Sequence, residues 1–277
     1  MQIIDGIFTD TLTLNSYEVD TFYSAQTAFY FRIMQEAAGA HAYYRNVSIP
    51  HLQQEGKTWV VTRTRMEILE HVRWPNTVQV HTWPQQPWKL YFPRVCQLYS
   101  GDQTKLFQSI SHWVVMDTEK QRPVKPQTVS DRFGSVQTDE FVDPNLGRRV
   151  MFDIQDHETV LTYHPVIRYS DCDFNRHVNN VVYLEWMLDS LPFSFRDSHQ
   201  AYEVDISYLA QTFRDDTVLV RTGLSRSDIL RDDQVKLVHE IVRTDDEGKL
   251  QPVSTAVTKW KPRSVNSGAV GVGAPQR

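Results

Sequence analysis

An internal repeat constrains the fold of this chain more than any local feature. Arg65-Met66-Glu67-Ile68 through Thr77-Val78-Gln79-Val80 parallels Asp205-Ile206-Ser207-Tyr208 through Thr217-Val218-Leu219-Val220 at a register of 140 residues. Downstream and in the same order, Phe107-Gln108-Ser109-Ile110-Ser111-His112-Trp113 parallels Ser254-Thr255-Ala256-Val257-Thr258-Lys259-Trp260, so each half closes on an alternating strand ending in Trp. Two copies of one fold are implied. Each copy starts with a short extended piece, continues into a long helix and then runs through several β-rich segments, which is an α+β order. The expected unit is an antiparallel sheet wrapped around one helix. The spacing predicts a first helix over 25–42, with Ser24 as its N-cap and Phe29, Tyr30, Ile33, Met34, Ala37 and Ala38 as its buried stripe. A second is predicted over 179–191, where Tyr183, Leu184, Met187, Leu188 and Leu191 share one face and Pro192 bounds the segment. Residues 126–156 are polar, carry Gly134 and Gly147 and keep no period, so they read as a linker between units 1–125 and 157–262. Residues 263–277 read as a small, Gly-rich tail.

Ahead of the second helix, Asp171-Cys172-Asp173-Phe174-Asn175-Arg176-His177-Val178-Asn179-Asn180 packs two carboxylates, three amides and an imidazole into ten residues. Free backbone N–H groups and the positive end of the dipole at a helix start would stabilise a carbonyl oxygen that gains negative charge. Asp173, Asn175 and His177 alternate, so an extended lead-in would aim them the same way. Helix capping explains Asn179 or Asn180 and leaves Asp173 and His177 without a role. Other chemistries fail on spacing. An EF-hand reading of Asp171-x-Asp173-x-Asn175 needs Gly where Arg176 stands and Glu where Val182 stands. No G-x-S-x-G elbow supplies a serine nucleophile, and the ten histidines hold no zinc spacing, so neither a metal nor a cofactor is expected.

The run from Arg168 to Tyr183 resembles the D-x-N-x-H-V-N-N-x-x-Y signature of the acyl-ACP thioesterases of plastids and bacteria. Tyr17-Glu18-Val19-Asp20, Gln35-Glu36-Ala37-Ala38-Gly39-Ala40-His41-Ala42, Trp59-Val60-Val61-Thr62-Arg63 and Ser111-His112-Trp113-Val114-Val115-Met116-Asp117 look like landmarks of the same family. The resemblance implies two tandem hotdog domains and cleavage of the thioester between a fatty acyl chain and the phosphopantetheine arm of acyl carrier protein. It implies that Asp173 and His177 orient and tune the site, that Asn175 binds the thioester or the attacking water, and that a Glu from a later strand activates the water. Here the chain departs from the pattern. Matched onto Tyr208-Leu209-Ala210-Gln211, the Glu position holds Gln211, and an amide cannot take the water's proton. Asp173 or His177 then becomes the candidate base. An acyl-CoA thioesterase, a hotdog dehydratase or hydratase on acyl thioesters, and a non-catalytic acyl-binding protein stay open as alternatives.

Lys and Arg number 29 against 34 Asp and Glu, a formal charge of −5, so no global basic field draws in nucleic acid or an anionic membrane. An acidic carrier protein must then meet a local basic patch, for which Arg63, Arg65, Lys89, Arg221 and Arg226 are the candidates. Cys96 and Cys172 stand far apart, which fits a reducing compartment. The start Met1-Gln2-Ile3-Ile4-Asp5-Gly6 has no signal-like n-region, and no stretch approaches the roughly 18 apolar residues of a membrane span, so a cytoplasmic protein is expected. A monomer and a homodimer are both compatible with the sequence.

Overall fold

The structure, a computed structural model, describes residues 1–224, 234–245 and 247–264. Arg226 and most of the expected tail, residues 265–277, lie outside the described residues.

The first half carries β1 (Gln2–Ile4), β2 (Ile7–Thr13), α1 (Thr27–Tyr44), α2 (Ile49–Gln53), β3 (Lys57–Ile68), β4 (Thr77–Pro84), β5 (Phe92–Tyr99), β6 (Lys105–Asp117) and the short β7 (Arg122–Pro123). After α3 (Gln127–Ser130), the second half carries β8 (Thr159–Tyr163), α4 (Asn180–Asp189), α5 (Phe193–Ser198), β9 (His199–Tyr208), β10 (Val218–Leu224), β11 (Val235–Thr244) and β12 (Leu250–Pro262). Among the described residues these strands form one antiparallel sheet in the order β1-β2-β4-β5-β6-β3-β9-β12-β11-β10-β8, with β7 paired to β6. The run β2-β4-β5-β6-β3 is mirrored by β8-β10-β11-β12-β9, and the halves join through β3 and β9. At that seam Arg65 stands opposite Asp205. These two residues head the 140-residue repeat, and repeat-equivalent residues meet in an antiparallel pair only at an approximate two-fold axis.

Strand alternation sets the faces. Val204 and Ile206 are fully buried under the helices, while Asp205 between them points to the opposite face. The predicted stripe of α1 is buried throughout, as its i, i+3, i+4 spacing requires. Its start differs from expectation. Ser24 and Ala25 form bridges to Arg73 and Val19, which keeps the chain extended as far as Gln26, so Gln26 and not Ser24 is the N-cap. One apolar core runs unbroken from α1 through α4 and both half-sheets. A smaller core of Ala42, Val47, Leu52, Phe92, Val115, Val129 and Phe133 lies at the far end of α1.

The segment between the halves starts by packing Val129 and Phe133 into that smaller core, and around Leu146 and Gly147 it lies over the sheet face away from the helices. Arg65 and Arg63, which share that face with Asp205, donate to Leu146 O at 2.8 Å and Gly147 O at 2.9 Å. Farther along, the His157 ring covers Gly223 so closely that a Cβ there would fall 2.3 Å from it.

Candidate active site

The polar cluster folds as a tight loop closed by a bridge between Cys172 and Val178. Asp173 N donates to His177 O and Arg176 N donates to Asp173 O, both at 2.9 Å, and Arg176 takes φ +65° to complete the turn. Asp173 Oδ1 accepts from Asn175 N at 2.8 Å and from His177 N at 3.4 Å, while Asn175 Nδ2 donates to Asp173 Oδ2 at 3.4 Å. Asp173, Asn175 and His177, all half-buried, are thus gathered by an Asx-type turn. The extended lead-in expected from their alternation is not what forms. A carboxylate that satisfies nearby backbone N–H groups offers the chain a turn in place of a strand.

The first half carries the same loop with other side chains. Asp20 N donates to Ser24 O, Tyr23 N donates to Asp20 O, and Tyr23 has φ +61°. Asp20 Oδ1 accepts from Phe22 N at 2.9 Å and from Ser24 N at 3.0 Å. Phe22 and Ser24 therefore occupy the places of Asn175 and His177. The loop belongs to the fold, and the amide and imidazole are what set the second copy apart.

Immediately past the loop, Asn179 caps α4 by accepting from Val181 N at 3.0 Å. Val178 N donates to Thr212 O at 2.9 Å, and the Phe213 ring stands edge-on to His177 at 5.0 Å. Gln211 lies in this bordering segment but not on a strand. Leu209 N and Ala210 N both turn to Val253 O, the ladder ends at Tyr208, and Gln211 emerges exposed with its carbonyl accepting from Arg243 at 2.9 Å. Tyr208 Oη donates to Asn180 O at 3.1 Å, which ties the start of α4 to β9. Sequence reasoning gave Tyr208 no such role, although its place in the Tyr208-Leu209-Ala210-Gln211 run was a usable signal. From the first half, Gln53 Nε2 reaches Asn175 Oδ1 at 3.5 Å, and Arg32 of α1 pairs with Glu185 of α4. Burial pushes the Glu185 carboxyl up, against the opposing pull of Arg32. Nothing in the sequence marks Gln53.

A cavity of about 20 Å³, room for one water, opens between α1 and the sheet. Phe31, Met34, Gln35, Thr64 and Trp113 of the first half line it together with Asn180 and Tyr208 of the second. A larger, polar hollow of about 340 Å³ beside Glu70, His71, Asn76, Ser100 and Asp102 includes no residue of the loop. The expected basic candidates are mostly neutralised within the fold. Arg63 and Arg65 both pair with Asp205, at 2.7 and 2.6 Å, and Arg221 pairs with Glu240 at 3.2 Å. Lys89 is exposed, its ammonium over the Trp88 ring at 4.2 Å. Among the described residues no helix is long and apolar enough to cross a membrane.

Two family models match the chain, the acyl-ACP thioesterase N-terminal domain over residues 5–132 and the acyl-ACP thioesterase C-terminal domain over residues 154–262. Among curated proteins, a palmitoyl-acyl carrier protein thioesterase of Gossypium hirsutum is 27% identical over 96% of this chain, which spans 66% of that protein's length. An oleoyl-acyl carrier protein thioesterase of Arabidopsis thaliana is 26% identical over 77% of the chain, which spans 63% of its length. Among solved structures, the 12:0-ACP thioesterase of Umbellularia californica superposes with a TM-score of 0.81 at 21% identity, covering 95% of this chain and 100% of that one. An acyl-ACP thioesterase of Bacteroides thetaiotaomicron gives 0.77 at 20% identity, covering 93% and 98%. These superpositions show a shared tandem hotdog fold.

Proposed function

We propose, from the chain's membership of the acyl-ACP thioesterase family, which the two family models show, that it hydrolyses the thioester of fatty acyl-acyl carrier protein. The observation that carries this reading is the loop of Asp173, Asn175 and His177 at the start of α4, set against a first-half twin that keeps only the aspartate. In the proposed reaction the thioester carbonyl sits at that helix start, where the Asn175 amide and free N–H groups stabilise the oxyanion. Water attacks the carbonyl carbon and gives its proton to His177 or Asp173. The C–S bond then breaks, and the departing thiolate of the phosphopantetheine arm is protonated. Gln211, bordering the loop, can orient water but cannot deprotonate it.

The acyl chain is placed between α1 and the first-half sheet, entering where the small cavity lies and displacing Phe31 and Met34. Units 1–125 and 157–262 are taken as the two hotdog domains, with 126–156 as their linker. Both cysteines are free, which supports a reducing, cytoplasmic setting. Time-resolved product analysis with purified protein and a panel of acyl-ACPs tests the function. Release of free fatty acid, faster from acyl-ACP than from acyl-CoA and slowed by salt, is expected. Equal, salt-insensitive kcat/KM for both carriers would favour an acyl-CoA thioesterase instead.

A further inference from the structure

Resting on the thioesterase reading, we propose that Gln53 of the first half is a positioning residue for Asn175 of the second. The loops of the two copies lie 153 residues apart, against 140 for the strands that follow, so the first half holds thirteen extra residues between loop and strand. Eight of them lengthen α1, and the rest lie in the connection to β3, where α2 stands as α5 does in the second half. Gln53 is the last residue of α2, and its Nε2 stands 3.5 Å from Asn175 Oδ1.

The base of α2 is firmly built. Leu52 is fully buried in the smaller core, the Ser48 hydroxyl and His51 Nδ1 share a hydrogen bond of 2.6 Å, and Trp59 Nε1 donates to Val47 O at 2.7 Å. Glu55, just beyond, is held by Arg132 at 2.7 Å and Lys57 at 3.0 Å. Gln53 is therefore presented on a fixed support.

Its donor and the Asp173 carboxylate together favour one orientation of the Asn175 amide. Oδ1 faces Gln53, one hydrogen of Nδ2 goes to Asp173 Oδ2, and the second Nδ2 hydrogen is left for the thioester carbonyl. Catalytic hydrogen bonds of this kind tighten around the reacting group.

Two measurements decide the matter. Kinetically, Gln53→Ala should lower kcat for acyl-ACP about ten- to a hundredfold with KM little changed, the scale of a misplaced reacting group. Gln53→Glu, an acceptor facing an acceptor, should lower it further, and the donor in Gln53→Lys should recover part of the loss. In an Asn175→Ala background, Gln53→Ala should cost nothing more. Independently of activity, the side-chain amide signals of Asn175 in the free protein should shift and exchange faster with water in Gln53→Ala, with the melting temperature unchanged. Additive losses in the double-mutant cycle, or Asn175 signals that do not respond, would overturn the proposal. A wild-type protein inert toward every acyl-ACP would instead remove the thioesterase reading, while the amide signals still report whether Gln53 holds Asn175.

Discussion

Asp173 engages backbone N–H groups through one carboxylate oxygen and the Asn175 amide through the other. Asn in its place can still accept the backbone bonds, so Asp173→Asn separates charge from loop shape. Under the proposed mechanism Asp173→Asn, Asn175→Ala and His177→Ala each lower turnover by about two orders of magnitude, the usual effect of removing an acid–base or carbonyl-stabilising group. Melting temperatures should hold, and near-normal rates in all three would place the site elsewhere. The rising limb of kcat/KM with pH should move or vanish in Asp173→Asn or His177→Ala and persist in Gln211→Ala. Gln211→Glu should be tolerated. The twin residue Asp20 gives the matching control. It accepts from Phe22 N and Ser24 N and pairs with Arg263 at 2.7 Å. Asp20→Ala should therefore lower stability by about 2 kcal/mol, the cost of stranding part-buried donors, and leave kcat untouched.

At the level of elements, α4 is held at both ends. Asn179 caps its start, and Asn179→Ala should cost about 1 kcal/mol in a denaturant titration. Ser190 at its end shares a hydrogen bond of 2.7 Å with Thr222, which reaches His239 Nδ1 at 2.8 Å. His239 Nε2 meets Thr258 at 2.8 Å, and Thr258 also accepts from Trp260 Nε1 at 2.7 Å. With a hydroxyl on each ring nitrogen, a neutral imidazole is fully satisfied. The segment between the halves is fastened by shape at Gly223. A methyl group in Gly223→Ala would collide with the His157 ring. That variant should make residues near 157 cleave faster under limited proteolysis, and an unchanged digestion pattern would mean the segment is held by other contacts.

The molecule as a whole is closed by the β3–β9 seam, where a mostly buried Asp205 answers the mostly buried Arg63 and the more exposed Arg65. Asp205→Ala leaves two guanidinium groups without their carboxylate and should cost about 3 kcal/mol. Acid should weaken the fold through its buried imidazoles. Burial lowers His41 and His239 from 6.5 to about 3 and His71 to about 4. The unfolded chain takes up these protons first, so the contribution is complete above about pH 6.5 and is lost progressively as pH falls toward 3. Replacing His239 with Gln should flatten that acid limb of the melting curve, and a limb of unchanged slope would assign the loss to other groups.

The α+β class, the duplication, the buried face of α1 and the position of the polar cluster at a helix start were legible in the residues alone. Each follows from local spacing, because helix and strand periods write their buried faces into nearby residues. Tertiary packing set how the cluster closes. Alternation predicted an extended run, whereas the Asp173 carboxylate drew its own backbone into a turn, and the same turn at Asp20 became visible only once both halves were folded. It also decided which charges stay available, since Arg63 and Arg65 find Asp205 from 142 and 140 residues away. Gln53 reaches Asn175 across 122 residues for the same reason. Contacts across a two-fold seam depend on where two separately patterned halves dock, and no window of local sequence contains both partners.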